Sequence, residues 1–110
     1  MTILVIKPME APKVKEIDSS LESMQKEVGG YIQAIYPFED SVALICNEGG
    51  KLFGFPLNRA LRDENGEIYD IVCGTFFLCS AQSDEENFSS LTDEQIERFS
   101  KLYQQPEFFL

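Results

Sequence analysis

Ile68 to Ser80 reads IYDIVCGTFFLCS, the longest apolar stretch in the chain. Its interior is crowded with strand formers, so Ile71 to Cys79 is expected to make one central strand buried on both faces. Gly74 in the middle weakens such a strand and marks a bulge or a close approach by another backbone. A central strand needs a neighbour on each side, and the rest of the chain has to supply them.

Upstream, Ala43 to Leu61 reads ALICNEGGKLFGFPLNRAL. Val42 to Cys46 is an apolar strand, Asn47 to Gly50 a polar turn, and Leu52 to Phe55 a second short apolar run. The expectation is a hairpin that feeds, through Pro56, a loop presenting Asn58 and Arg59. Tyr31 to Tyr36 reads as a further strand, stopped by Pro37. Ile3 to Ile6 and Lys13 to Ile17 pair around a turn from Pro8 to Pro12, and the charged second run suits a sheet edge. Ser19 opens a helix, with Glu22 completing a capping box and Leu21, Met24 and Val28 on one face; Gly29-Gly30 stops it. Downstream, Asn65-Gly66 marks a turn, and Gln82 to Ser90 is a polar loop. Thr92 with Gln95 caps a last helix carrying Ile96, Phe99 and Tyr103, with Leu91 stapled onto Ile96.

The reading is a single α+β domain over residues 1–110, in the order β-β-α-β-β-β-β-α. Its sheet is mixed or antiparallel, with two helices packed on one face. Phe108, Phe109 and Leu110 are too apolar to dangle. They dock on the body or on a second copy of the chain, in which case a symmetric homodimer follows.

With 110 residues, 44% of them apolar, the chain builds a core without staples. No apolar run reaches the ~18 residues of a membrane span, and no leader pattern is present, so the expectation is a cytoplasmic protein. Three cysteines fit that reading as buried, reduced thiols. Cys73 and Cys79 on one strand would stand roughly 20 Å apart, beyond disulfide reach.

The net charge is −10 and unevenly spread. Residues 1–62 hold eight acids and seven bases; residues 63–110 hold eleven acids and only Arg98 and Lys101. That field disfavours direct nucleic-acid binding. It serves solubility, or it imitates DNA towards a DNA-binding enzyme through Asp84, Glu85, Glu86, Asp93, Glu94 and Glu97.

Histidine is absent, which removes the commonest general base and most catalytic zinc sites. No cysteine pair has zinc-ligand spacing, and Gly49-Gly50-Lys51-Leu52 lacks the glycine and hydroxyl of a phosphate loop. No enzyme, cofactor or metal is expected. The candidate ligand-binding residues are Asn58, Arg59, Asn47 and Asp70. Arg59 offers a fork for carboxylate or phosphate, and Asn58 both donates and accepts. Two readings stay open. Either Arg59 pairs with Glu48 or Asp70 while Asn58 caps a turn, or the pair lines a concavity beside the Asn47–Gly50 turn and binds an anionic, nucleotide-like ligand or a partner protein's acidic group. Tyr31, Tyr36 and Phe38 are read as core rather than as a stacking wall.

Several segments together carry a resemblance: Leu21 to Gln25, Val28 to Ile32, Tyr36-Pro37-Phe38, Cys46-Asn47-Glu48, Pro56 to Ala60, Gly74 to Phe77 and Leu91 to Gln95. From Ile3 to about Leu102 the chain resembles the family catalogued as domain of unknown function 3846. Members often read Asn-Glu-Glu-Gly where this chain reads Asn47-Glu48-Gly49-Gly50, so a carboxylate is missing from that turn. The resemblance implies a cytoplasmic protein of bacterial mobile elements and phages, and supplies no catalytic residue or cofactor. The resulting expectation is a non-catalytic binding module acting on a host or element-encoded protein through the Asn58-Arg59 loop.

Overall fold

The structure, a computed structural model, describes residues 1–81 and 88–109. β1 (Thr2–Ile6), β2 (Lys13–Glu16), β3 (Ile32–Ile35), β4 (Val42–Asn47) and β7 (Phe76–Ser80) form an antiparallel sheet in the order β2-β1-β7-β4-β3. β5 (Leu57–Arg62) and β6 (Ile68–Cys73) form a separate antiparallel pair. The helices are α1 (Leu21–Val28) and α2 (Asp93–Leu102). The α+β expectation holds, with the antiparallel alternative realised throughout.

β7 is the expected central strand, but it is shorter than the apolar run. Gly74 has φ +82°, in the left-handed region, and a Cβ there would lie 2.7 Å from the Phe55 ring. Only glycine suits that geometry, and it turns the chain from the β5–β6 pair into the main sheet. One apolar run thus serves two sheets, and Cys73 and Cys79 sit on different strands.

Alternation along the strands separates two cores. Ile3, Val5, Ala43, Ile45, Phe77 and Cys79 face α1, meeting Met24 and Val28. Leu4, Ile6, Leu44, Cys46, Phe76 and Leu78 face the other way, meeting Leu61 and Val72 of the β5–β6 pair and Phe99 and Tyr103 at α2. The helices therefore lie on opposite faces of the sheet, not on one. The β5–β6 pair covers too little of the second face alone, and α2 fills the remainder: the Phe76 and Tyr103 rings meet edge to face at 5.6 Å.

α2 begins as expected, with Thr92 Oγ1 accepting from Gln95 N at 3.1 Å and Gln95 Oε1 from Thr92 N at 2.9 Å. α1 is capped one residue later than expected: Ser20, not Ser19, accepts from Ser23 N, so Glu22 closes no capping box. Gly29 ends α1 at φ +80°. Leu52 to Phe55 makes turns rather than a strand, with Leu52 92% and Phe53 71% exposed. Among the described residues no helix is long and apolar enough to cross a membrane.

Candidate functional site

The four candidate residues fall into two places. Asn58 and Arg59 lie in strand β5 and not in a loop, and both are 0% exposed. Neither lines any of the clefts described below. Asn58 Nδ2 donates to Ile6 O at 2.9 Å and Gly74 O at 2.8 Å, while its Oδ1 accepts from Arg59 Nη1 at 2.9 Å. Arg59 Nη2 donates to Glu10 O at 2.6 Å and Tyr103 O at 3.0 Å. Among the buried side-chain polar atoms of the described residues, only Arg59 Nε finds no partner.

This buried polar knot ties together the end of β1, the β1–β2 turn, the Gly74 corner and the end of α2. Arg59 pairs with neither Glu48 nor Asp70, and among the described residues no carboxylate lies within ion-pair distance of it. Its charge is met by carbonyls, Tyr103 O among them at the C-cap of α2, where the helix dipole is negative. Burial lowers its pKa from the ordinary arginine value, against a raising influence from Glu107. The turn that presents Glu10 O includes Met9 at φ +66°, an uncommon backbone state for a side-chain-bearing residue. Asn58 and Arg59 thus hold chain segments together from inside, and the expectation that they stand in a loop lining a concavity is overturned.

Asn47 and Asp70 do share a site. They line a cleft between β3 and β6, roofed by the β4–β5 turn, that also takes in Gln33, Ile35, Lys51, Leu52 and Ile71. Asn47 is buried and already engaged: Nδ2 donates to Val28 O at 3.1 Å, and Oδ1 accepts from Gly49 N at 2.8 Å. It fixes the cleft wall to the end of α1. Asp70 is accessible and ion-paired with Lys51, whose side chain is 64% exposed. The Lys51 ammonium, then the Ile71 N–H, hold the Asp70 carboxyl below the usual carboxylate range despite some burial. Burial and then the Asp70 charge push the Cys46 thiol up, away from thiolate. The cleft so presents an ion pair, an amide and apolar walls. All three cysteines are free and buried, and among the described residues no group of three His, Cys, Asp or Glu side chains stands ready for a metal ion.

The cleft holds about 180 Å³, below the ~300–1,000 Å³ of pockets that enclose small-molecule ligands. It accommodates a side chain rather than a nucleotide. A broader depression of about 760 Å³ over α2 is lined by Phe38, Glu39, Arg98 and Leu102, but Arg98 there is already paired with Asp40. Tyr31 and Tyr36, read from the sequence as core, are 76% and 62% exposed. Phe38 is the one that packs inward, with its ring 4.6 Å from Phe99.

Lys51, Leu52, Gln33 and Ile35 are cleft residues that sequence reasoning did not single out. Leu52 carried a signal: a leucine beside Gly49-Gly50-Lys51 in a turn has no core to enter. The acidic residues expected to imitate DNA divide likewise. Asp93 and Glu94 are exposed on the first turn of α2, and Glu97 is bonded to Lys101 at 3.2 Å. Asp84, Glu85 and Glu86 lie outside the described residues.

No curated protein and no solved structure matches the chain. A family model does match, over residues 1–104, which takes in every described strand and helix. The chain belongs to the family described as domain of unknown function DUF3846.

Proposed function

We propose that the chain is a cytoplasmic, non-catalytic binding module of a bacterial mobile element or phage, whose partner is a host or element-encoded protein. The β3–β6 cleft replaces the Asn58–Arg59 segment as its contact surface. The observation that carries this reading is Leu52, which lines the cleft and is 92% exposed; Phe53 beside it in the turn, and Tyr31 and Tyr36 flanking β3, are also each more than half exposed. Burying one such side chain contributes roughly 1.5–3 kcal/mol, so a folded chain that leaves several in water invites a partner. A small anionic ligand fits less well, because Lys51 is committed to Asp70 and Arg59 is sealed inside.

The test is selection of a displayed random-peptide library on the immobilised chain, then on its Leu52→Asp variant. Peptides enriched by the parent are expected to lose binding to the variant. Enrichment no greater than on bare support would end the reading.

A second reading, an acidic inhibitor occupying a DNA-binding enzyme, is favoured by the charge balance of residues 63–110. It requires inhibition of a restriction or recombination enzyme that weakens steeply with salt, since exposed charges are screened over about 10 Å at 0.1 M. Salt-insensitive inhibition excludes it. Symmetric association through the tail rests on Phe108, which is 78% exposed. Equilibrium sedimentation of the full chain settles that: a monomer at high concentration excludes the homodimer.

A further inference from the structure

We infer that the free edge of β3 takes up a basic, extended segment of the partner protein as a sixth strand, with alternate side chains entering the β3–β6 cleft. This deepens the binding-module reading and rests on it.

The five-stranded sheet has two edges, β2 and β3. β2 is guarded: Lys13, Lys15 and Glu16 each form an ion pair, with Glu10, Glu27 and the N-terminal ammonium. Charged edges repel a further strand. β3 reads Ile-Gln-Ala-Ile and carries no charge.

Its register fixes which backbone groups are open. Glu48 N donates to Tyr31 O at 2.8 Å, and β3 pairs with β4 as Ile32↔Asn47, Gln33↔Cys46, Ala34↔Ile45 and Ile35↔Leu44. Hydrogen-bonded pairs recur at every second residue of an antiparallel ladder. Gln33 and Ile35 therefore bond to β4, and the N–H and C=O groups of Ile32 and Ala34 point outwards. Among the described residues no backbone group meets them.

An added strand would place alternate side chains on the same face as Gln33 and Ile35, which line the cleft with Leu52 and Ile71. Main-chain bonds then supply affinity and the cleft supplies selectivity, as in other strand additions.

Charge sets the chemistry of the segment. Between Lys26 and Lys51 the chain holds Glu27, Glu39, Asp40 and Glu48 and no base. Glu27 and Asp40 are spent on Lys15 and Arg98. Glu39 and Glu48 are exposed, in no ion pair among the described residues, and stand beyond opposite ends of β3. An apolar strand flanked by Lys or Arg matches this edge. A second copy, itself at −10, does not.

The test uses the full chain, the peptides it selects from the random library, and the Ala34→Pro variant, which removes one outward N–H and no bond to β4. Selected peptides should carry Lys or Arg around an apolar core and bind Ala34→Pro about tenfold or more weakly, while the parent's Ile32 and Ala34 amides gain hydrogen-exchange protection. Glu39→Lys and Glu48→Lys should each weaken them several-fold. Exchange on the parent decides the matter should Ala34→Pro fail to fold. Binders lost on Leu52→Asp but kept on Ala34→Pro, with no new protection at β3, overturn the strand addition and leave the binding module standing. Binders free of Lys and Arg overturn the basic partner. No enrichment overturns both readings. A chain that sediments as a dimer, and as a monomer after Ala34→Pro, gives the edge to a second copy and overturns the inference.

Discussion

Two cations, Arg59 and Lys51, stand in one small domain under opposite conditions. Arg59 is sealed from water and held by carbonyls and Asn58. Lys51 is 64% exposed and held by a carboxylate that is itself 40% exposed. From sequence, Arg59 looked like the functional one, because its fork suits an anion. The comparison teaches that donor geometry does not say where a residue points. The five donors that suit arginine to a ligand also suit it to gather orphan carbonyls from several chain segments, and a desolvated site of that kind is structural. The exposed, solvent-screened pair contributes little to folding, so its surroundings are free to serve recognition.

The largest expected effect tests the buried side. Arg59→Met leaves Asn58 Oδ1, Glu10 O and Tyr103 O without their donor. Its unfolding free energy in urea should fall by about 3–5 kcal/mol, with Arg59→Lys in between. A loss below about 1 kcal/mol would show that the knot is not what holds these segments together. Next is Gly74→Ala, which forces a side chain into the left-handed region against the Phe55 ring and should cost about 1–3 kcal/mol in the same assay. A neutral outcome would mean that the corner does not depend on glycine.

Glu107 sharpens the comparison from between the two extremes. Its carboxylate accepts from both Arg62 Nη atoms at 3.0 Å and from Ala60 N at 3.2 Å, pinning the tail along β5. Burial pushes its pKa up, but the Arg62 fork and the Ala60 N–H outweigh that and hold it below the usual range. A carboxyl depressed in the folded state adds stability that is present above the ordinary glutamate value of about 4.3 and is lost as pH falls through the folded value. Glu107→Gln should therefore cost about 1 kcal/mol at pH 7, and the gap from the parent should close as denaturation midpoints are followed into acid. A gap constant with pH would contradict this. Last, Lys51→Ala should change stability by no more than about 0.5 kcal/mol. A cost above about 1.5 kcal/mol would make the cleft structural and erase the contrast.

Much of the fold was legible where a local rule agreed with the tertiary outcome. Val42 to Cys46, Phe76 to Cys79 and the Thr92–Gln95 cap are fixed by runs or spacings that no distant contact overrides. β5 was not legible: Leu57-Asn58-Arg59 is a poor strand pattern, and becomes one only because Ile6 O, Gly74 O, Glu10 O and Tyr103 O wait around it. Those partners lie 16 to 52 residues away in sequence. The apolar Leu52 to Phe55 misled in the opposite sense, since hydrophobicity alone does not distinguish a buried strand from an exposed turn. At the candidate site, Asn47 stands in the turn expected after Val42 to Cys46 and Asp70 just before the expected strand Ile71 to Cys79, and the structure brings both to one cleft. The opposite wall was not legible, because it depends on how two sheets stack.

The place of β7 sets the order of events in synthesis. β1 with β2, and β3 with β4, are neighbours in sequence and pair locally, yet the inner edges of β1 and β4 face only the gap that β7 fills. At ribosomal speeds of about 5–20 residues per second, the roughly thirty residues from the end of β4 to the start of β7 keep both edges unsatisfied for a few seconds. The nascent chain then holds two half-built ribbons with open, apolar flanks, and closure waits on Phe76 to Ser80. Substitutions there should slow folding more than they speed unfolding, which makes this short strand a kinetic keystone.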